Sequence, residues 1–177
     1  MRYVVLLRAV NVGGRSVKMA DLRKVLTGLG YDDVRTYLQS GNAVITAPRA
    51  APASVAAKIE PALQQAFGLQ IQVVVLTAAQ LDGVVAANPF GEVESEPTKL
   101  VVDFIGEPFP RTGGDTLDLG DLPERGERGD GVVYLHFPDG QGRSKLTPAV
   151  LSRALGGRWG TARNWRTVLA LQALAAD

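Results

Sequence analysis

The sequence predicts an α+β fold: two ferredoxin-like halves of the β-α-β-β-α-β type in one compact unit, with an extra C-terminal helix. Three observations carry this. Short apolar or β-branched runs alternate with stretches of helical periodicity; glycine, asparagine and proline punctuate them; and the order strand, helix, strand, strand, helix, strand is complete within residues 1–88. Residues 89–177 form a second, less regular half. At 177 residues the chain can bury roughly 70% of its unfolded surface, enough for a core without staples.

Taken in order, Tyr3 to Leu7 is a continuous apolar run that ends at Arg8 and the turn Asn11-Val12-Gly13-Gly14, so it reads as a strand buried on both faces. Met19, Leu22, Val25, Leu26 and Leu29 share one helical face, closed by Gly28 and Gly30. Val34 to Leu38 and Ala43 to Thr46 flank Gln39-Ser40-Gly41-Asn42, the chemistry of a tight hairpin. Pro52 to Phe67 is an amphipathic helix with Val55, Ile59, Leu63 and Phe67 in line, ended by Gly68, which Pro61 is expected to kink or split. Ile71 to Leu76 is a β-branched strand, and Thr77 caps a helix to about Ala87.

In the second half Leu100 to Ile105 and Val132 to Phe137 read as strands. Residues 106–130 are rich in glycine, proline and acid and are the least legible, with a short helix expected around Thr112 to Leu119. Thr147-Pro148 starts a helix that ends at Gly156-Gly157. A last helix is expected to open at Thr161, with Trp165, Val168, Leu169 and Gln172 on one side and Arg163, Asn164 and Thr167 facing another way. At a helix start, the charges of Arg163 and Lys145 are expected to matter little to stability.

Composition removes several kinds of function. Without cysteine there is no disulfide, thiolate metal site, iron–sulfur cluster or cysteine nucleophile. The single histidine, His136, stands on a strand with Tyr134 and Phe137, so no histidine pair can ligate zinc, and a triad has no legible partners; neither metal nor cofactor is expected. No apolar segment is long enough for a membrane span or signal peptide, so a cytoplasmic protein without membrane association is expected. A net charge of +1 argues against nucleic-acid binding through bulk charge. The charges are unevenly placed, however: residues 1–50 carry eight basic and three acidic residues, residues 51–142 five and fourteen, and residues 143–177 six and one. Should the fold join the two basic ends, a local anion-attracting site would result; a scattered, solvated surface is the alternative.

Short polar segments at element ends are the candidates for chemistry. Arg8 precedes Asn11-Val12-Gly13-Gly14-Arg15, where glycines let successive amides form an anion nest or simply a tight turn. Ser40, Gly41 and Asn42 read equally well as hairpin chemistry or as ligand groups. Ser144 and Lys145 offer a hydroxyl and a cation before a helix, or else a capped, solvated loop. Arg163, Asn164 and Thr167 offer an arginine and polar groups at a helix start, or a surface face. Gly140-Gln141-Gly142-Arg143-Ser144-Lys145 is not a P-loop: the order is Ser-Lys, and Phe137 stands where the earlier glycine is required.

Leu6-Leu7-Arg8-Ala9-Val10-Asn11-Val12-Gly13-Gly14, Thr36-Tyr37-Leu38-Gln39-Ser40-Gly41-Asn42, Ser144-Lys145-Leu146 and Thr161-Ala162-Arg163-Asn164-Trp165-Arg166-Thr167-Val168 together resemble the bacterial domain-of-unknown-function family numbered 1697, in order and spacing, across essentially the whole chain. The resemblance implies two ferredoxin-like halves in one unit and brings no established activity. One departure is Ala9-Val10, where the family more often has Gly-Ile. The residues themselves suggest a binding protein in which Arg8, Asn11, Gly13, Gly14, Ser40, Gly41, Asn42, Ser144, Lys145, Arg163, Asn164 and Thr167 gather around an anionic small molecule or a nucleic-acid phosphate. The alternatives are an enzyme of phosphoryl or acyl transfer in the same pocket, which lacks a legible general base, and a structural interaction module without ligand. With only 6% aromatic residues, base stacking on the sheet is not expected. Oligomeric state is not legible.

Overall fold

The computed structural model describes residues 1–107 and 116–176. Its internal contacts divide the chain into Met1–Asp82 with Leu171–Asp177, and Gly83–Ala170. The fold is α+β: two four-stranded antiparallel sheets and five α-helices, the last at the C-terminal end.

The first unit runs β1 (Arg2–Leu7), α1 (Met19–Gly28), β2 (Asp32–Tyr37), β3 (Asn42–Thr46), α2 (Pro52–Phe67) and β4 (Val73–Thr77), and α3 (Ala78–Ala86) begins in it. Its sheet order is β2-β3-β1-β4, which fits the ferredoxin-like expectation. The apolar run of β1 sits centrally, as its lack of alternation requires, and Tyr3 to Leu7 are all fully buried. On one face Tyr3, Val5, Leu7, Ile45, Val73 and Val75 pack against Leu22 and Leu26 of α1 and Val55, Ile59 and Leu63 of α2. Val4, Leu6 and Val44, which alternate with these, are buried too.

Of the two outcomes expected of Pro61, splitting does not occur: α2 runs through it as one helix. Pro61 is exposed, opposite the buried line Val55, Ile59 and Leu63, and the carbonyl it deprives of a partner belongs to the exposed Ala57, within reach of water. At the end of β4, Thr77 and Gln80 cap α3 reciprocally. The Gln80 amide donates to Thr77 Oγ1 at 3.1 Å and the Thr77 amide to Gln80 Oε1 at 2.9 Å, a capping box.

The second unit contains β5 (Leu100–Ile105), β6 (Arg125–Arg128), β7 (Val132–His136), α4 (Pro148–Ala154), β8 (Gly160–Asn164) and the opening of α5 (Trp165–Ala176). Its sheet order, β6-β7-β5-β8, repeats the first unit's order strand for strand. Val101, Ile105, Val133, Leu135 and Phe137 form its core with Leu117, Leu119 and Leu155. Residues 112–115 of the expected helix lie outside the described residues. Residues 116–119 are not helical: Thr116 bridges to Glu127 beside β6, and Leu117 and Leu119 point into the core with the period of a strand.

The clearest departure concerns the last helix. Residues Gly160 to Asn164 are not its first turn but edge strand β8, paired antiparallel to β5 with Val102 opposite Arg163 and Val101 opposite Asn164. Burial alternates along it, Thr161 and Arg163 in, Ala162 and Asn164 out. Glycine, threonine and asparagine are poor helix interiors, and Asn164 instead caps α5, its Oδ1 accepting from the Thr167 amide at 2.9 Å.

The hairpin between β2 and β3 sets one strict local requirement. Gly41 has φ +79°, its carbonyl accepts from the Leu7 amide at 2.8 Å, and a Cβ there would stand 2.6 Å from Val10 Cγ2 and 2.7 Å from Leu7 Cβ. Gly41→Ala is therefore expected to destabilise the protein by about 2 to 4 kcal/mol, left-handed strain and overpacking together, read as a lower urea midpoint at unchanged slope.

Candidate functional site

The site residues expected from the sequence fall into two sets. Arg8, Asn11, Gly13, Gly14, Ser40, Gly41 and Asn42 belong to the first unit, and Ser144, Lys145, Arg163, Asn164 and Thr167 to the second.

In the first set most polar side chains hold the backbone. Leaving β1, the chain turns through Ala9, Asn11, Gly13 and Gly14, all at positive φ between +50° and +81°. Asn11 fixes this loop: its Nδ2 donates to Val17 O at 2.9 Å and to Gln39 O, and its Oδ1 accepts from the Val17 amide at 2.8 Å. The bond to Gln39 O ties the loop to the β2–β3 hairpin. There Asn42, fully buried, donates through Nδ2 to Tyr37 O and to Ser40 Oγ, each at 2.9 Å. Asn11, Ser40 and Asn42 thus serve as turn-forming groups. Gly13 and Gly14 are exposed in a turn closed by the Arg15 amide donating to Val12 O at 3.1 Å.

What the loop presents is a pair of arginines. Arg8 and Arg15 line an open depression of about 280 Å³ together with Ala9, Gln70 and Gln72, and among the described residues no carboxylate lines it. Arg8 donates through its amide to Gln72 O at 2.9 Å and through NH1 to Gln72 Oε1 at 2.5 Å. Arg15 is held by backbone alone, Nε donating to Ala9 O at 2.9 Å and NH2 to Gln70 O at 2.6 Å. These two bonds occupy the side edge of the guanidinium. Its NH1 has no acceptor among the described residues, so the end edge of the fork, two parallel N–H groups suited to an oxyanion, stays available. The left-handed conformation of Ala9, about 1 kcal/mol unfavourable for a residue with a Cβ, accompanies the turn that brings its carbonyl to Arg15.

Arg15, Gln70 and Gln72 were not among the residues singled out from the sequence. A signal existed: Leu69, Gln70, Ile71, Gln72 and Val73 alternate apolar and polar ahead of β4, so the two glutamines share its exposed side, and Arg15 closes the glycine turn.

The second set is dispersed in role. Ser144 Oγ accepts from the Leu146 amide at 3.0 Å, and Lys145 is exposed. Thr167 is buried in the first turn of α5. Arg163 is buried on β8, where NH1 donates to Thr161 Oγ1 and to Ala162 O, both at 2.8 Å. Burial pushes its guanidinium down to about 10, opposed by the carboxylate of Asp103, itself buried on β5. Tyr134 is pushed up to about 12 by burial and then by Asp130, and its hydroxyl donates to Val84 O at 2.6 Å, a satisfied core group. His136 packs on Phe90 with ring centres 5.8 Å apart, and its Nδ1 has no hydrogen-bond partner among the described residues. Among the described residues no cluster of three or more His, Asp or Glu could hold a metal, and no helix is long and apolar enough to cross a membrane. Because Arg163 is a buried, hydrogen-bonded side chain rather than a surface charge at a helix start, Arg163→Ala is expected to cost about 2 to 4 kcal/mol of stability in thermal or urea unfolding. Lys145→Ala should stay within about 0.5 kcal/mol.

No curated protein matches the chain. A solved structure, that of the conserved bacterial protein SP0830 from Streptococcus pneumoniae, is similar in fold over 99% of this chain and 98% of its own, with a TM-score of 0.70 at 21% identity. The segment from residue 1 to 134 matches the family described as "Protein of unknown function (DUF1697)". With three quarters of its length so matched, the chain belongs to the DUF1697 family.

Proposed function

We propose that this protein binds an anionic ligand and that the binding groups are Arg8 and Arg15. One observation supports the reading above others: Arg8 and Arg15 border one depression of about 280 Å³ whose lining, among the described residues, contains no carboxylate. Both side chains are cations, and an anion seated in the depression would be attracted by each. Pre-organisation adds to this, since Ala9 O and Gln70 O fix Arg15 before any ligand arrives and Gln72 Oε1 engages Arg8. The depression is smaller than the sites that enclose drug-sized ligands and has no aromatic lining, which favours recognition of a charged head group over enclosure of a whole molecule or stacking of a base.

Titrating sodium sulfate and sodium phosphate into ¹⁵N-labelled protein, with ionic strength held by chloride, tests this. Saturable shifts of the amides of residues 8–15 and 70–72 are expected. Arg8→Ala and Arg15→Ala should each weaken binding about five- to thirtyfold, the worth of about 1 to 2 kcal/mol for a charge-assisted bond at a half-exposed site. Shifts that chloride reproduces, or that both variants leave unchanged, would overturn the reading.

A further inference from the structure

The end of the first sheet that carries the left-handed loop also presents two apolar tips. We propose that Val12 and Leu38, with the cations of Arg15 and Lys18, form a docking surface for the anionic face of a lipid bilayer, into whose interface the two apolar side chains insert.

Among the described residues Val12 and Leu38 are the most exposed large apolar side chains, at 56% each. Single exposed apolar residues are ordinary, but these two adjoin. Asn11 Nδ2 donates to Gln39 O, so Val12 and Leu38 each stand next in sequence to a partner of the bond that joins the two loops. The loops also touch beside it, since a Cβ at Gly41 would stand 2.6 Å from Val10 Cγ2. Leu38 is costly to the isolated protein on two counts. Its φ of +54° is one that glycine or asparagine adopts readily and leucine does not, and more than half of its surface stays in water, so packing returns little.

The charge around the tips selects the partner. Residues 8–18 and 38–42 contain Arg8, Arg15 and Lys18 and no acidic residue. Lys18 is exposed, and Arg15 NH1 has no acceptor among the described residues. Of the acids that flank these loops in sequence, Asp21 faces Lys24 at 3.3 Å, and Asp33 is paired with Arg2 at 3.3 Å and with Arg35 at 3.1 Å. Neither tip lines the depression of Arg8 and Arg15, and both stand on turns at the end of a sheet, so what meets them is a surface that yields to protruding side chains. A bilayer interface does so, with hydrocarbon beneath a layer of phosphates that attracts arginine and lysine. Docking of this kind needs no membrane-crossing helix, so the absence of one among the described residues does not bear on it.

Cosedimentation of the whole chain with sucrose-loaded vesicles tests the proposal, comparing phosphatidylcholine alone with phosphatidylcholine containing about one third phosphatidylglycerol. Binding is expected to the anionic vesicles, and it should weaken as salt rises. Leu38→Asn and Val12→Ser should each lower the partition coefficient about three- to tenfold, and Lys18→Gln about fivefold, the effect of one cation near the surface. Leu38→Asn should at the same time leave the urea midpoint unchanged or higher, because asparagine suits the left-handed turn, and this separates lost docking from lost folding. Wild-type protein that stays in the supernatant with anionic vesicles, leaving the tips to a protein partner, would overturn the proposal. So would binding that Leu38→Asn and Val12→Ser leave unchanged, which is adsorption by charge alone. Neither outcome depends on whether sulfate occupies the arginine depression.

Discussion

Asn11 is tied in two directions at once, to Val17 within its own loop and to Gln39 O in the β2–β3 hairpin, and the path of the chain between Arg8 and Arg15 depends on those ties. Four residues of this loop have positive φ, two of them glycine. A short chain segment in so unusual a conformation needs fixed partners, and three side-chain hydrogen bonds at about 1 kcal/mol each are of the size required to offset the strain at Ala9 and Asn11. Arg8 is set by its strand, through the Gln72 carbonyl, and Arg15 by the carbonyls of Ala9 and Gln70. Of the two guanidinium groups, that of Arg15 is thus held by backbone carbonyls and that of Arg8 by the Gln72 carboxamide.

The repeated strand order makes the two sheets a natural comparison. Counted back from the strand-to-helix junctions at Thr77 and Asn164, Leu76 stands where Arg163 stands, and Val5 where Asp103 stands. The first sheet fills these places with apolar side chains, so the arrangement of strands does not itself demand charge there. In the second sheet both places hold charged residues, directed to opposite faces by the register, and the carboxylate of Asp103 lies so close to the backbone of Gly160 that a Cβ at residue 160 would meet it at 2.3 Å. A buried charge is costly unless it is hydrogen-bonded, and Arg163 NH1 has acceptors in Thr161 Oγ1 and Ala162 O.

Legibility from sequence followed the range of the interactions concerned. The bounds of α2 and β5, the centrality of β1 and the capped starts at Thr77 and Thr147 depend on neighbours a few residues away, and the chain displays them. Strand β8 depends on pairing with β5, some sixty residues earlier, and the helical periodicity of Trp165 to Gln172 extended backward over it in the sequence reading. Arg163 changed meaning with it, from a surface charge to a buried one. In the first unit the turn after β1 was legible because glycine and asparagine announce left-handed conformations. Asn11, Ser40 and Asn42, polar and ligand-like in sequence, hold turns together, while Arg15 and the two glutamines meet Arg8 only once β1 and β4 are paired.

Membership of DUF1697 fixes the company this chain keeps without supplying a reaction, so the claim to be tested is the site itself. Sodium selenate diffused into crystals, with data collected at the selenium edge, locates a tetrahedral dianion without reference to any assumed ligand. The account predicts an anomalous peak within hydrogen-bonding distance of the Arg8 and Arg15 guanidinium groups, absent from crystals of Arg15→Ala. Selenate bound elsewhere with this depression empty, or a peak that persists unchanged in the variant, would contradict it.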